Sequence, residues 1–191
     1  MTLQSGPYQV FEPGIEVSGV SAQALTSCIV HNQIEELLIQ YNLNHIETDA
    51  WYPLQDVLDL LNELALAGNR AQYFVSIGIA VANNTYAGLP EQMRSLSLIE
   101  FLHSYEQIYL ARQRCRKGGD KGYLRAEQVD EHQIIVRLRT PYPDDLFYGI
   151  LYGLTRHFRP AGKGFSVRYD PNLLRREQGG SETVIHIHID A

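Results

Sequence analysis

The chain has 191 residues, 45% of them hydrophobic, so one core can bury well over half of the unfolded surface without a covalent staple. Cys28 and Cys115 lie far apart and form no CxxC or Cys/His spacing, which excludes a disulfide framework and a structural zinc site and fits a reducing cytoplasm. No basic region leads into an apolar run at the start, and no stretch nears the roughly eighteen apolar residues of a membrane span, so neither a signal peptide nor a span is expected.

From Val20 to about Ala111 the patterning is helical. Ser21 is the expected N-cap of a first helix that carries Ile34, Leu37, Leu38 and Tyr41 on one face. Asp49 and Pro53 mark the next start, with Leu54, Val57, Leu58, Leu61 and Leu64 as its stripe and Gly68 just past its end. A third helix holds Tyr73, Phe74, Ile77 and Val81, and the turn-rich segment Asn83–Pro90 is expected to end it. Leu98, Leu102, Tyr105 and Tyr109 define a fourth helix, opened by Ser95 or Ser97.

After Gly118-Gly119 the period changes to two. Residues 121–128 and 133–140 flank Asp130-Glu131 as a hairpin with Ile134, Val136 and Leu138 on one face. Asp144 or Asp145 then caps a helix burying Leu146, Phe147, Ile150, Leu151, Leu154 and Phe158, and two alternating runs follow at Phe165–Tyr169 and Ile185–Ile189. The expected fold is α+β: N-terminal helices on one side of an antiparallel sheet, with a C-terminal ββαββ unit, all in one domain over residues 1–191.

The net charge of −6 is unevenly spread. Residues 1–69 hold nine acids and no Lys or Arg, so all sixteen basic residues come later. Two halves that pack together, or two subunits of a homodimer, would use this asymmetry for complementarity; a solvated acidic face explains it equally well.

Three stretches carry a family resemblance: DAWYPLQDVLDLLNELA (Asp49–Ala65), RKGGDKGYL (Arg116–Leu124) and TPYPDDLFYGILYGLTRHF (Thr140–Phe158). In this order and spacing, over roughly residues 20–190, the chain resembles the ligand-binding domains related to the 4-vinyl reductase domain, the haem-NO-binding domain and the TRAPP trafficking subunits. Similar bacterial domains occur beside histidine kinases and cyclases. The resemblance implies a non-enzymatic sensory or scaffold module in bacterial signalling that binds a small hydrophobic or tetrapyrrole-like ligand. The alternative it leaves open is a protein–protein interaction module acting through dimerisation or docking to a signalling partner. Two departures limit the carry-over. The closing segment LRREQGGSETVIHIHID keeps Gly179 and Gly180 but has no Cys, and the Tyr-x-Ser-x-Arg triplet that holds haem carboxylates in the haem-NO-binding subgroup is absent. Which cofactor is bound, if any, stays open.

The twelve tyrosines point to the ligand site. Tyr105 and Tyr109 stand one turn apart, as do Tyr148 and Tyr152 beside Gly149 and Gly153, an arrangement that suits either core packing or a cavity for a flat ligand. With Trp51 and Tyr52 of the Trp-Tyr-Pro opening they form the candidate ligand-binding set, and at least one of those two rings is expected to be buried. Arg112, Arg116 and Lys117, in a basic run with only Asp120 against it, are either an anion-binding cluster or a solvated helix end favoured by the dipole. The run is too short, and the chain too acidic, for nucleic acid. His186 and His188 share one strand face, the spacing of metal ligands, but with no third ligand nearby in sequence they read as polar residues of a solvated face and no metal is expected. No catalytic motif occurs, and Asp144-Asp145 reads as a cap with first-turn acid.

Overall fold

A computed structural model describes residues 6–30, 34–66, 70–115 and 118–191. In chain order the elements are β1 (Ile15–Ser18), α1 (Gly19–Thr26), α2 (Ile34–Gln40), β2 (Trp51–Pro53), α3 (Leu54–Leu66), α4 (Arg70–Gly88), α5 (Glu91–Arg94), α6 (Leu98–Ala111), β3 (Gln113–Cys115), β4 (Tyr123–Gln128), β5 (Gln133–Arg139), α7 (Asp144–Phe158), β6 (Phe165–Tyr169) and β7 (Thr183–Ile189). The fold is α+β, with helices packed against an antiparallel sheet of order β4-β5-β7-β6, as the change of period implied.

The ββαββ unit follows the sequence pattern closely. Alternation puts Ile134, Val136, Leu138, Ile185 and Ile187 on the buried face, against the stripe Leu146, Phe147, Ile150, Leu151, Leu154 and Phe158 of α7. His186 and His188 take the opposite face. There the His186 ring meets Asp170 Oδ2 at 2.8 Å and the Gln133 amide at 3.1 Å. Among the described residues no group of three or more His, Cys, Asp and Glu is placed to hold a metal ion, and no helix is long and apolar enough to cross a membrane.

The cap of α7 differs from expectation. Pro143 is the N-cap residue and brings no side-chain bond, so the Glu177 carboxylate reaches in from the Gly-rich closing turn and accepts the Asp144 N–H. In return Asp144 Oδ2 accepts Glu177 N–H at 3.2 Å. Asp145 Oδ1 takes the Tyr169 hydroxyl at 2.7 Å and Arg175 Nη1 at 3.0 Å. Gly179 turns the chain at φ 97°, where a side chain would be strained, and so delivers Arg175 and Glu177 to the helix. Burial among Asp144 and Asp145 pushes the Glu177 carboxyl above its ordinary range, although Arg70 Nη2 sits 3.1 Å away.

The N-terminal half departs further from the sequence reading. Helix α1 starts after Ser18, whose hydroxyl accepts Ser21 N–H, so Ser18 rather than Ser21 is the cap, and Ile34–Gln40 forms a separate helix. Trp51–Pro53 is a strand, not the start of α3. It pairs with β1, which pairs with β3 on its other edge to make a second, three-stranded sheet. Gly68 lies outside the described residues. Helix α4 does not stop at Asn83 but runs to Gly88. The His157 ring bonds Asn83 Oδ1 at 2.8 Å and stacks on Tyr86 at 4.2 Å, so tertiary contacts outweigh the poor helix propensity of this stretch.

Helices α4 and α7 cross at backbone distance. A Cβ on Gly149 would stand 2.2 Å from the Val75 carbonyl oxygen, one on Gly78 2.2 Å from that of Leu146, and one on Gly153 2.6 Å from Ala82 Cβ. The glycines beside Tyr148 and Tyr152 therefore serve a close helix-to-helix approach, not the helix-to-sheet contact or ligand cavity weighed from the sequence.

Candidate functional site

A cavity of about 440 Å³ opens between α1, the second half of α4, α6 and the first turns of α7, within the range of small-molecule sites. The capping box at the start of α6 fixes its phase: Ser97 Oγ accepts Glu100 N–H, and Glu100 Oε2 accepts Ser97 N–H at 2.8 Å. From that start, Phe101, Tyr105, Ile108, Tyr109 and Arg112 recur at three- and four-residue spacing and face the cavity. Leu25 of α1, Val57 of α3 and Ile150 of α7 add apolar surface.

Aromatic edges build one wall. Phe147 meets Tyr109 at 6.1 Å and Tyr142 at 6.0 Å, both edge-on, and Phe101 stacks on Tyr105 at 6.0 Å and on Phe158 at 4.3 Å. Polar groups gather where α6 meets β3. Tyr109 donates its hydroxyl to the Lys121 carbonyl at 2.9 Å, and Lys121 Nζ donates to the carbonyls of Leu110 and Gln113 at 2.9 and 3.0 Å. Burial pushes the Tyr105 hydroxyl up to about 12 and raises those of Tyr109 and Tyr142 as well. Gln113 is only 4% exposed, yet its Oε1 has no hydrogen-bond partner. Arg112 is the one charged residue on the lining, and it stands on the exposed side.

Of the sequence-predicted residues, the structure brings Tyr105, Tyr109 and Arg112 to this cavity. Arg116 and Lys117 lie outside the described residues. Trp51, Tyr52, Tyr148 and Tyr152 stand elsewhere. Tyr148 donates to the Val167 carbonyl at 2.8 Å and packs on Tyr169, while Tyr152 packs on Phe165. Neither ring of the Trp-Tyr pair is fully buried: Tyr52 is half-buried with its hydroxyl at Glu47 N and His45 O, and Trp51 lies under the Arg114 guanidinium at 4.5 Å. Arg114 also pairs with Glu16 at 2.7 Å, so part of the charge asymmetry is spent within the chain. Sequence reasoning missed Gln113, Tyr142, Phe147 and the residues of α1 as cavity lining. Tyr142 carried a signal, since it is the tyrosine of the Pro-Tyr-Pro turn; Gln113 carried none.

No family model matches the chain, and no curated protein is similar to it in sequence. Solved structures are similar over almost its whole length. An oxygen-binding H-NOX domain related to soluble guanylate cyclases, in its oxygen complex, matches with a TM-score of 0.66 at 17% identity, covering 91% of this chain and 93% of that one. A mutant H-NOX protein from K. algicida in the unliganded Fe(II) state gives 0.66 at 11% identity, covering 91% and 97%. A mutant H-NOX of T. tengcongensis gives 0.61 at 16%, covering 90% and 93%. The fold is that of the H-NOX domains, and at these identities the likeness is one of fold.

The lining can be tested against haem. Haem iron is held in proteins by His, Cys, Met or a deprotonated Tyr. No His, Cys or Met is on the lining, and His103 on α6 points away, its Nε2 at the Ala126 carbonyl. Tyr105 and Tyr109 do face the cavity, but the Tyr109 hydroxyl is committed to the Lys121 carbonyl at 2.9 Å, a bond that ligation of iron would have to break. The lining therefore offers a haem iron no imidazole, thiolate or thioether and is a poor fit for an axially ligated haem.

Proposed function

We propose that this chain is a non-enzymatic sensory domain that binds a small, largely apolar molecule between α1, α6 and α7 without ligating a metal through its side chains. The observation that carries the reading is the cavity of about 440 Å³, apolar and aromatic over most of its surface. Its occurrence in the H-NOX fold adds support, because the solved oxygen-binding example is itself a ligand-binding domain; fold alone does not assign function. Occupancy would order α1 and α6, the helices that border the open side, and offer a partner in a signalling protein a changed helical surface.

Native mass spectrometry and absorption spectroscopy of the purified protein, alone and with added naphthalene, a metal-free tetrapyrrole or haem, test the reading. A stoichiometric apolar adduct is expected, together with a haem spectrum no different from haem bound nonspecifically to a soluble protein. Absence of any adduct across the panel would remove the cavity as a binding site. A sharp spectrum of axially ligated haem would overturn the exclusion of iron.

A further inference from the structure

The polar end of the cavity specifies more than an apolar ligand. Gln113 is almost wholly buried on the lining, and its Oε1 is one of only two buried side-chain N or O atoms among the described residues that lack a partner. A buried acceptor left unpaired is destabilising, so this oxygen marks a place where a donor from outside the chain is missing. One residue earlier, Arg112 is the single charge on the lining, and its guanidinium has no ion-pair or ring partner among the described residues. No acid lines the cavity.

From these two residues we infer that the ligand is an apolar carboxylic acid whose body also carries an N–H or O–H donor: the carboxylate lies at Arg112 and the donor at Gln113 Oε1. The inference rests on the cavity being a ligand site, as proposed above. The C-terminal end of a helix ordinarily repels an anion, and Arg112 is the residue that ends α6. Here Lys121 Nζ covers the Leu110 and Gln113 carbonyls at 2.9 and 3.0 Å, so a second cation offsets the dipole where the carboxylate would sit. The apolar body then meets Phe101, Ile108 and Phe147, and Ile108 and Val20, 38% and 37% exposed, give the open side an apolar rim through which such a molecule can enter. A carboxylate on a guanidinium makes a charge-assisted bond that an alcohol cannot match and an ammonium opposes.

Four flat probes of similar size separate the two requirements: indoleacetate carries acid and donor, naphthaleneacetate the acid alone, tryptophol the donor alone, and tryptamine a cation. Titration calorimetry on the intact chain is expected to rank indoleacetate first, about tenfold tighter than tryptophol and about fivefold tighter than naphthaleneacetate, with tryptamine weakest. Arg112→Gln should bring indoleacetate down to tryptophol while leaving tryptophol unchanged. Gln113→Leu should erase the preference for indoleacetate over naphthaleneacetate, and a thermal melt matching the parent shows that this variant is folded. Equal binding of the acid, alcohol and amine, or a preference for tryptamine, overturns the inference. So does binding of uncharged naphthalene without binding of any of the four, an outcome that leaves the cavity as a site for neutral molecules. If naphthalene also fails to bind, the site itself is refuted and the inference falls with it.

Discussion

Along α7, Gly149 and Gly153 approach α4 so closely that a Cβ on Gly149 would stand 2.2 Å from the Val75 carbonyl oxygen. On its first two turns, Leu146, Phe147 and Ile150 border an open volume of about 440 Å³. The two regions are built from the same two helices, since Val81, Asn84 and Thr85 of α4 also line the opening. A void beside backbone-to-backbone packing is not the result of a loose core. The glycine crossing fixes the angle and spacing of the helix pair, and α1 and α6 must then span a gap that their side chains do not fill.

The largest effect is expected where the packing is tightest. Gly149→Val places branched carbon against a carbonyl oxygen that belongs to a packed helix, so a loss of about 3 kcal/mol or more should appear in urea or thermal unfolding. A variant as stable as the parent would show that the crossing is adjustable and does not hold the cavity open.

Next comes the network that fastens the closing turn to α7. Asp145→Ala leaves the Tyr169 hydroxyl and Arg175 without their acceptor, and because the Arg175 side chain keeps 24% exposure the cost should be about 2 kcal/mol, below that of a wholly buried pair. Chemical denaturation of the single variant and of a double variant with Arg175→Met measures the coupling directly. Additive losses would mean that the pair contributes nothing as a pair.

On the open side the order of effects should reverse. Ala24→Phe puts a ring into the cavity from α1, so stability should change by less than about 1 kcal/mol while affinity for an apolar probe falls tenfold or more. A large stability loss with binding intact would place the probe somewhere else. The tyrosines of this wall give a pH test. Tyr105 has an ordinary value of 10.0 and is pushed up to about 12 by burial; a group whose folded value is raised keeps its full contribution to stability below the unfolded value and loses it as pH rises through the folded one. Phenolate absorbance from the buried tyrosines should therefore lag above pH 10 and appear together with alkaline unfolding. Titration of every tyrosine near 10 in the folded protein would mean that the wall is wet.

Trp51 lies outside both regions. With its ring partly buried under Arg114, Trp51→Ala should cost about 2 kcal/mol, more than an exposed cation–π contact and less than the several kcal/mol of a core indole. Since it is the single tryptophan, its emission should move modestly to the red on unfolding, by less than a fully buried indole would show.

How far the sequence reveals the molecule depends on the range of the interactions involved. The C-terminal unit is legible because each strand announces itself by alternation over five to seven residues, and its hairpin closes locally through Asp130. The N-terminal sheet is not. Its strands β1, β2 and β3 have only three or four residues each, too few for a period, and they pair across large separations in the chain, as Glu16 does with Arg114. The continuation of α4 through Asn83 is hidden for a similar reason, since His157, far along the chain, provides the partner. Within the site, the Tyr105–Tyr109–Arg112 stripe follows from helical spacing alone. The empty space it faces depends on the α4–α7 crossing, which the spacing of residues does not encode. Nor does it encode Gln113, a polar residue in a short strand whose importance lies in the partner it lacks.

Ligand binding depends on the space between α1, α6 and α7 being open to an apolar guest. A crystal of the protein pressurised with xenon tests it most directly, because xenon enters unfilled apolar cavities with little need for polar contacts. A xenon atom is expected among Leu25, Phe101 and Phe147, with the glycine crossing unchanged. Xenon absent from that place, with those three side chains in mutual contact across it, would mean that the space is closed and no ligand site exists there.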